Sequence, residues 1–421
     1  MRAATAVGLL LWQAVVLAQQ PVREQARAYV QALAAPAMHG RGYVQGGDSL
    51  AADWLAERFA QIGLEPLAGE RFQPFIFPVN TFPDSVKLML GGERLRPGLD
   101  FITDPASGPD SGRFIIRRLG LEDLTDEDQR IRTWQALEGG IAWLGFPPTT
   151  DADSLRLYAD LLRETVRHVP VLRPGGPKLT WSVAGEAFPH AVLELREGTL
   201  PDTATVAFLR VRNRFNPAHG ARNVFGVVRA KRTDAPWVLV TAHYDHLGQM
   251  GPDALFPGAN DNASGTAMLL CLAQWFRQKP ARSNLLFIGF AGEEAGLLGS
   301  QWFTEHPPLD LGRVRAVVNL DLNGTGEEGI TVVNATEQKV LYDQLVKINK
   351  RSSHLPQVKA RGPACNSDHC PFARMGVPAI FIYTMGGVSY YHDVQDRAET
   401  LPLTRFDGLY RTLIPFLRNL K

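Results

Sequence analysis

The sequence has little cysteine, almost no net charge and, beyond its N-terminal stretch, no long apolar run. Three cysteines in 421 residues are too few for a disulfide-stabilised scaffold, and they do not have zinc-finger spacing. A formal net charge of +1 gives no field that would attract nucleic acid or an anionic membrane. No later run approaches the roughly 20 apolar residues of a transmembrane helix. We therefore predict no nucleic-acid partner and no integral membrane segment in the mature chain.

The N-terminus has a different composition from the rest of the chain. Arg2 is followed by an apolar run over residues 6–18, and Ala18 precedes a pair of glutamines. This pattern predicts a secretory signal peptide over residues 1–18, and hence export to a periplasm or to the outside of the cell. A buried amphipathic helix is the alternative interpretation of the same run.

The remaining chain alternates between two kinds of pattern. Residues 19–79 and 213–421 show helical periodicity and, after Asn213, apolar β-runs that alternate with helices; residues 80–212 show short strands separated by turns. We therefore predict an α/β fold, in which residues 19–79 and 213–421 form a mixed, mostly parallel sheet sandwiched by helices. Residues 80–212 are predicted to be a β-rich inserted domain with a covering or substrate-selecting role. The predicted buried strands of the main sheet are 237–241, 284–290, 316–320 and 379–383.

Imidazoles and carboxylates follow these predicted strands. They are, in chain order, His243, Asp245, Asp261, Glu293, Glu294, Asp321 and His392, of which Asp261 lies in a Gly- and Asn-rich loop over residues 258–265. Because open α/β sheets bind ligands at the carboxyl ends of their strands, we expect these side chains to converge. Two His, two Asp and one Glu suit a two-zinc centre with one shared carboxylate. A spare Glu beside a ligating Glu indicates a general base, and the combination favours a metal-dependent hydrolase.

Each of these residues also has an ordinary structural interpretation. Asp245 is expected to accept the second imidazole N–H of His243, although a His-x-Asp pair alone is also compatible with a surface feature. Asp261 could cap the following helix. Glu293 and Glu294 could complement a helix dipole, but adjacent buried carboxylates repel each other unless a cation compensates.

Residues of roughly 20–75 and 215–421 resemble the M28 family of zinc peptidases, which includes bacterial leucyl-type aminopeptidases. The motifs that carry the resemblance are His243-x-Asp245, the run from Gly258 to Gly265, Gly292-Glu293-Glu294, Asn319-Leu320-Asp321, Ser367-Asp368-His369-x-Pro371-Phe372 and Tyr391-His392. The insert at 80–212 looks like a protease-associated domain by its position and strand content. One departure is Asp393-Val394, where family members commonly have Ser or Thr and then Pro. This puts a substrate contact near His392 in doubt.

The resemblance implies two Zn²⁺ ions per chain and hydrolysis of peptide substrates. The implied ligands are His243 and Asp321 on one metal, Glu294 and His392 on the other, and Asp261 bridging both. Glu293 is implied as the general base that activates a metal-bridging water, and Tyr391 as a donor to the transition-state oxyanion. The implied activity is that of an aminopeptidase, which releases N-terminal residues.

Other activities stay open at this point. A carboxypeptidase or dipeptidase of the same family is the nearest alternative, and a glutaminyl cyclase would share the fold with one zinc. A non-enzymatic binding module is the alternative of a different class. No motif predicts the preferred side chain or the oligomeric state.

Three further residues have open or modest interpretations. Cys365 and Cys370 lie five apart in a loop, and they either pair in an oxidising compartment or remain two inert thiols. His246 follows the His-x-Asp pair and is interpreted as a bystander, because the sequence suggests no partner for it.

Overall fold

Two eight-stranded sheets dominate residues 21–420, the part of the chain that the computed structural model describes. The predicted signal peptide at residues 1–18 lies outside this range. Among the helices of residues 21–420, none combines the length and the apolar character needed to cross a membrane.

The helices bury residues that recur at helical spacing. In the first, Ala26, Val30 and Leu33 are buried, which is the spacing of one helix face. The α-helices are, in chain order, α1 Val22–Leu33, α2 Gly47–Ile62, α3 Glu127–Ala136, α4 Ala152–Thr165, α5 Gly265–Gln278, α6 Leu298–Glu305, α7 Lys339–Ser352, α8 His369–Arg374 and α9 Phe406–Asn419.

The strands fall into an N-terminal and a C-terminal series. The first series is β1 Phe72–Thr81, β2 Val86–Leu90, β3 Glu93–Arg94, β4 Phe101–Thr103, β5 Asp110–Leu119, β6 Gly140–Leu144, β7 Val171–Pro174, β8 Val192–Leu195 and β9 Val206–Val211. The second series is β10 Arg214–Val228, β11 Trp237–His243, β12 Gly248–Gln249, β13 Leu255–Phe256, β14 Asn284–Phe290, β15 Val314–Leu320, β16 Gly329–Val333, β17 Val358–Ala360 and β18 Ala379–Met385.

The first sheet has the strand order β1-β10-β14-β11-β15-β18-β16-β17. Its centre, β14-β11-β15-β18, is parallel, whereas β10 joins β14 and β16 joins β18 in antiparallel fashion. Along β11, Val238 and Val240 face the core shared with α1, α2, α5, α7 and α9, while Leu239 faces the core shared with α6 and α8. A strand that is covered on both faces must be apolar throughout. The predicted mixed, mostly parallel sheet between helices is therefore confirmed.

The second sheet is formed by strands of residues 86–211 in the order β3-β2-β9-β5-β6-β7-β8-β4. Strands β5, β6, β7 and β8 are mutually parallel, and helices α3 and α4 lie in the connections between them. The main core of this sheet also includes residues from β13 and from loops between residues 213 and 421. These are Leu247, Met250, Ala254, Phe256 and Val394.

Two long strands, β1 and β10, were not expected from the sequence. They pair antiparallel along most of their length and connect the two sheets. Pro74 and Pro78 lie in β1 and Pro217 in β10, and proline normally argues against a strand because it cannot donate to the ladder. Here β1 is the edge of the sheet, and its register shifts between Phe77 and Val79, so the prolines are tolerated.

Candidate metal centre

The carboxyl ends of the four parallel strands of the first sheet bring the predicted ligands together. His243 is the last residue of β11, and Asp321 directly follows β15. Glu294 follows β14 after a short turn, and His392 lies in the loop after β18. Asp261 is in the loop that leads into α5. Sequence position at strand ends therefore located all five side chains at one edge of the sheet.

The first half of the cluster is built around His243, which is buried. Its Nε2 lies 3.4 Å from Oδ1 of Asp261 and 3.4 Å from Oδ1 of Asp321. These three side chains offer ligand atoms that lie within 4.8 Å of one another.

The second half is built around His392. Its Nε2 lies 3.2 Å from Oδ2 of Asp261 and 3.1 Å from Oε2 of Glu294. The two carboxylate oxygens of Asp261 thus face different imidazoles, and each imidazole has a second carboxylate of its own. This is the arrangement of a carboxylate shared between two cation sites.

The atoms of each half are spaced as the ligands of one ion would be. Two atoms that are each about 2.0–2.1 Å from a tetrahedral zinc lie about 3.3–3.4 Å apart. In addition, Oδ1 of Asp321 is buried and has no hydrogen-bond partner within residues 21–420. A buried carboxylate oxygen without a partner is costly, and a cation at this point would satisfy it. The donor set therefore fits two divalent ions such as zinc.

The pKa shifts of the cluster also favour a bound cation. Although burial disfavours ionisation, hydrogen bonds to His243 and His392 hold the pKa of Asp261 well below its usual range. The pKa of His392 is raised to about 11 against the effect of burial, chiefly by Glu294 and Asp261. The carboxylates thus attract positive charge to this edge of the sheet, which bound cations would supply while leaving the imidazoles neutral.

Glu293 lies beside the cluster, and its carboxylate is farther from His243 than the carboxylates of Asp261 and Asp321 are. Its Oε2 is 4.0 Å from Nε2 of His243, and its side chain is 12% exposed. Burial raises the pKa of Glu293 well above its usual range, and the neighbouring carboxylates of Glu294, Asp368 and Asp321 add to the effect. A carboxyl group of this kind can hold a proton at neutral pH.

Asp245 does not take the role that its spacing predicted. Nδ1 of His243 lies 3.2 Å from the backbone oxygen of Asp245, whereas the nearer carboxylate oxygen is 3.8 Å away. The carboxylate instead accepts hydrogen bonds from the hydroxyl of Tyr43 and from the backbone N–H groups of Glu293 and Glu294. The reason is that the strand ends after His243, so the alternation assumed for a continuing strand does not apply. Asp245 therefore fixes the turn that carries the two glutamates.

His246 is not a bystander, contrary to our expectation. It is fully buried, and its Nδ1 lies 2.7 Å from Oε1 of Glu294. His246, Asp261 and Glu294 also form a group with ligand-type atoms within 4.8 Å of one another. We place His392 rather than His246 among the ligands because Nε2 of His392 reaches both carboxylates. His246 then orients the other oxygen of Glu294.

Arg41 is the residue of the site that sequence reasoning missed. Its side chain is fully buried and donates five hydrogen bonds, all to backbone carbonyl groups. The acceptors are Leu33 O at 2.9 Å, Tyr244 O at 2.7 Å, Pro257 O at 2.7 Å, Gly258 O at 2.7 Å and Asp261 O at 3.2 Å. Arg41 thereby joins the end of α1 to Tyr244, directly after His243, and to the loop that carries Asp261.

A signal for Arg41 was present in the sequence. The residue lies between Gly40 and Gly42, and a Cβ at Gly42 would come within 2.4 Å of the Cα of Gly248. The backbone must therefore approach another loop closely at this point, which only glycine allows.

The loop that carries Asp261 is also held by Asp396. Its carboxylate accepts the backbone N–H groups of Asn260 and Asp261, at 2.8 and 3.0 Å. Gly258 has a φ of +60°, and a Cβ there would lie 2.4 Å from the His246 ring. The glycine-rich composition of this loop therefore reflects tight packing around the cluster.

The remaining predicted residues border the cluster. Tyr391 is half-exposed, and its ring stacks on His392 with 3.8 Å between the ring centroids. Burial and the nearby carboxylates raise the pKa of its hydroxyl, so that it stays a hydrogen-bond donor. Cys365, in the loop before α8, forms a disulfide with Cys370 in α8, and their Cα atoms lie 5.0 Å apart.

The part of the chain that carries the cluster is similar to known sequences. The pattern of Peptidase family M28 matches residues 223–417. Aminopeptidase YwaD of Bacillus subtilis strain 168 is 32% identical over 200 residues, which cover 44% of this chain and 41% of that protein. A probable leucine aminopeptidase of Arthroderma otae is 35% identical over 158 residues, or 34% of this chain and 42% of the relative. The chain thus spans about two fifths of the length of these curated relatives.

Solved structures share the fold over nearly the whole chain. The Peptidase M28 precursor of Shewanella amazonensis SB2B has a TM-score of 0.70 at 16% identity and covers 96% of both chains. A zinc aminopeptidase from Bacillus subtilis has a TM-score of 0.69 at 21% identity and covers 93% of this chain and 94% of its own. At such identities the likeness concerns the fold. Residues 223–417, which the pattern of Peptidase family M28 matches, carry every residue of the metal cluster.

Proposed function

We propose that this chain is a di-zinc exopeptidase, and specifically an aminopeptidase that releases N-terminal residues from peptides. The observation that carries the proposal is the position of Asp261. Its two carboxylate oxygens face His243 and His392, and each of these imidazoles has its own second carboxylate. The names of the curated relatives, both aminopeptidases, support the choice of the N-terminal end.

The ligands divide into two sets around this shared carboxylate. His243 and Asp321 would hold one zinc, Glu294 and His392 the other, and Asp261 would contact both. When bound, the two ions supply a water molecule of lowered pKa and positive charge near the carbonyl oxygen of the substrate.

Glu293 is the general base in this proposal. Its Oε2 lies 4.0 Å from Nε2 of His243, and Glu293 could itself contribute to a ligand group with His243 and Glu294. In this proposal it is not a ligand, so its carboxylate takes a proton from the attacking water. The hydroxide adds to the peptide carbonyl, and the C–N bond then breaks. Glu293 returns the proton to the leaving amine, so the step consumes one water and leaves the base unchanged. The raised pKa of Glu293 helps it to hold that proton between the two transfers.

Tyr391 is the proposed donor to the oxygen that becomes negative during addition. Stacking on His392 keeps its ring at the mouth of the cluster, and its half-exposed position leaves room for substrate. A hydroxyl that stays protonated stabilises such an oxygen by donating a hydrogen bond.

A peptide panel tests the proposed activity. Peptides with a free N-terminus, with an acetylated N-terminus and with an amidated C-terminus are incubated with the protein as purified, after chelation and after addition of zinc or cobalt. We expect cleavage of the free and the amidated peptides, loss of cleavage after chelation and recovery with metal. Cleavage of acetylated peptides that stops on C-terminal amidation would instead indicate a carboxypeptidase. Binding of no divalent metal would contradict the proposal as a whole.

Export is part of the same proposal. The apolar run at residues 6–18 predicts that the mature protein begins at or near Gln19. N-terminal sequencing of protein recovered from the periplasm or medium checks this prediction, and recovery of the uncleaved chain in the cytoplasm would contradict it.

A further inference from the structure

The segment between β7 and β8, residues 175–191, belongs to the second sheet but contacts the loop that carries His392. Nδ1 of His392 lies 2.7 Å from the backbone oxygen of Trp181, and the backbone N–H of Trp181 donates to the backbone oxygen of His392 at 3.2 Å. The two residues are thus joined by a reciprocal pair of hydrogen bonds across the two parts of the chain.

The first of these bonds decides the state of the imidazole. A backbone carbonyl can only accept a hydrogen bond, so Nδ1 of His392 must carry the proton. Nε2 is then left with its lone pair, and this is the atom that faces Asp261 and Glu294. Partners of this kind fix the tautomer and the ring orientation of metal-binding histidines.

His243 obtains the same support from its own surroundings. Its Nδ1 lies 3.2 Å from the backbone oxygen of Asp245, two residues further along the chain. One imidazole of the cluster is therefore oriented from within the first sheet's part of the chain and the other from the second sheet's part.

Trp181 is firmly attached to the second sheet. Its side chain is buried, its indole N–H donates to the backbone oxygen of Thr103 in β4 at 2.9 Å, and its ring stacks on Phe256 with centroids 4.7 Å apart. Val394, two residues after His392, lies in the same core as Trp181. The position of the Trp181 carbonyl is thus set by the core that the second sheet shares with β13 and with the loop after His392.

Lys178 adds a second attachment in the same segment. Its Nζ donates to the backbone oxygens of Ser389 and Tyr391, at 2.8 and 2.9 Å. These bonds hold the loop on the N-terminal side of His392, while Val394 holds it on the C-terminal side.

We propose that the second-sheet region is a structural part of the metal centre, in which Trp181 positions His392 for the ion that is shared with Glu294. This inference rests on the proposed two-metal function and adds a role to a region for which we had expected only a covering or substrate-selecting one. The inference predicts an asymmetry between the two zinc sites. Loss of the Trp181 side chain should lower the zinc affinity of the site formed with Glu294 and His392 and should leave the affinity of the site formed with His243 and Asp321 unchanged.

The test uses Trp181→Ala in the full chain, which removes both the indole hydrogen bond and the stacking contact. Metal-free protein is titrated with zinc in competition with a chromophoric chelator, so the readout is two dissociation constants and not activity. We expect one of them to rise by about 10–100-fold while the other stays the same. Trp134→Ala in α3 is the matched control, because it removes a tryptophan from the same region away from His392, and both constants should stay unchanged.

Two further variants keep the test decisive. In a His392→Ala background, Trp181→Ala should have no additional effect on zinc affinity, since its action runs through that imidazole. If Trp181→Ala does not fold, Lys178→Met, at an exposed position, should still raise the zinc dissociation constant of the same site, by a smaller factor. Unchanged constants in a folded Trp181→Ala protein, or in Lys178→Met when the former does not fold, would overturn the inference. Fewer than two zinc ions on the unmodified chain would instead overturn the proposed function.

Discussion

Each of the two sheets contains four adjacent parallel strands. The sheets differ in how the acidic side chains near the carboxyl ends of those strands are paired. In the second sheet, Arg173 and Glu194, near the carboxyl ends of β7 and β8, pair at 2.7 Å. Arg173 also lies 3.5 Å from Asp104, which follows the antiparallel strand β4, so the protein itself neutralises both acids. In the first sheet the acids face imidazoles and one another. Among residues 21–420, no Lys or Arg forms an ion pair with the ligand carboxylates of that edge.

This difference shows what topology contributes to the site and what it does not. Parallel strands place loops and side chains at one edge in both sheets. Only the first sheet leaves buried carboxylates without a cationic side chain, and its one nearby arginine, Arg41, donates to backbone carbonyls instead. The absence of arginine partners therefore distinguishes the two edges, although both are built from parallel strands.

The largest expected effect is on turnover, and it distinguishes Glu293 in the first sheet's part of the chain from Glu194 in the second sheet. Glu293→Gln removes the proposed base and keeps the shape, so we expect turnover to fall by about 10²–10⁴-fold with unchanged zinc content. Steady-state hydrolysis of a free-amine peptide and metal analysis provide the measurement. Glu194→Gln is the matched control and should change turnover by less than about twofold, because its partner Arg173 serves no catalytic step. Equal losses in the two variants would contradict the distinction.

The next effect compares two arginines that both donate to backbone carbonyls. Arg41 is buried and has five acceptors, so Arg41→Met would leave several buried carbonyls unpaired and should lower the free energy of unfolding by at least about 3 kcal/mol. Arg118 in β5 donates to Pro201 O and Ala204 O at an exposed position. Arg118→Met should therefore cost less than about 1 kcal/mol.

Urea unfolding of the metal-free proteins checks this pair, with zinc content measured in parallel. We expect Arg41→Met also to bind zinc more weakly, because Arg41 joins the residue after His243 to the loop that carries Asp261. A loss of stability with full zinc affinity would show that Arg41 supports the fold only.

A smaller effect concerns His246, which is near the ligands without being assigned as one. His246→Leu removes the hydrogen bond to Oε1 of Glu294 and should weaken zinc binding by about 10–100-fold. His246→Asn places an amide N–H near the position of Nδ1 and should restore most of the affinity. If the asparagine variant were as weak as the leucine variant, and both bound only one zinc, His246 would be a ligand rather than a positioning residue.

The sequence located those site residues that lie at or just after the end of a buried strand. The apolar runs before His243, Glu294 and Asp321 are buried on both faces, so their ends could be found from hydropathy alone. The assignment of the ligands to two metals came from the family resemblance and stays a prediction. That the side chains converge could be expected, because the carboxyl ends of parallel strands meet at one edge.

What the sequence did not reveal depends on backbone atoms that are distant along the chain. The partners of Arg41 and the Nδ1 partner of His392 are carbonyl groups, which every residue has, so residue type carries no signal for them. The same holds for the prolines of β1, which are acceptable only because that strand lies at an edge. The contact between Trp181 and His392 joins residues separated by 211 positions, and no local pattern encodes it.

The smallest expected effect completes the comparison at the second edge. Arg173 is about a third exposed, and an ion pair at such a position contributes about 0–1 kcal/mol because solvent screens it. Arg173→Met should therefore lower the free energy of unfolding by less than about 1 kcal/mol and leave the zinc constants unchanged. Removing the arginine also leaves Glu194 and Asp104 without a cationic partner. The ligand carboxylates of the first sheet likewise have no Lys or Arg partner within residues 21–420. If missing arginine partners were sufficient to make a cation site, this variant would bind an additional zinc ion; we expect that it does not, because no imidazole lies among these two carboxylates to complete a tetrahedral set.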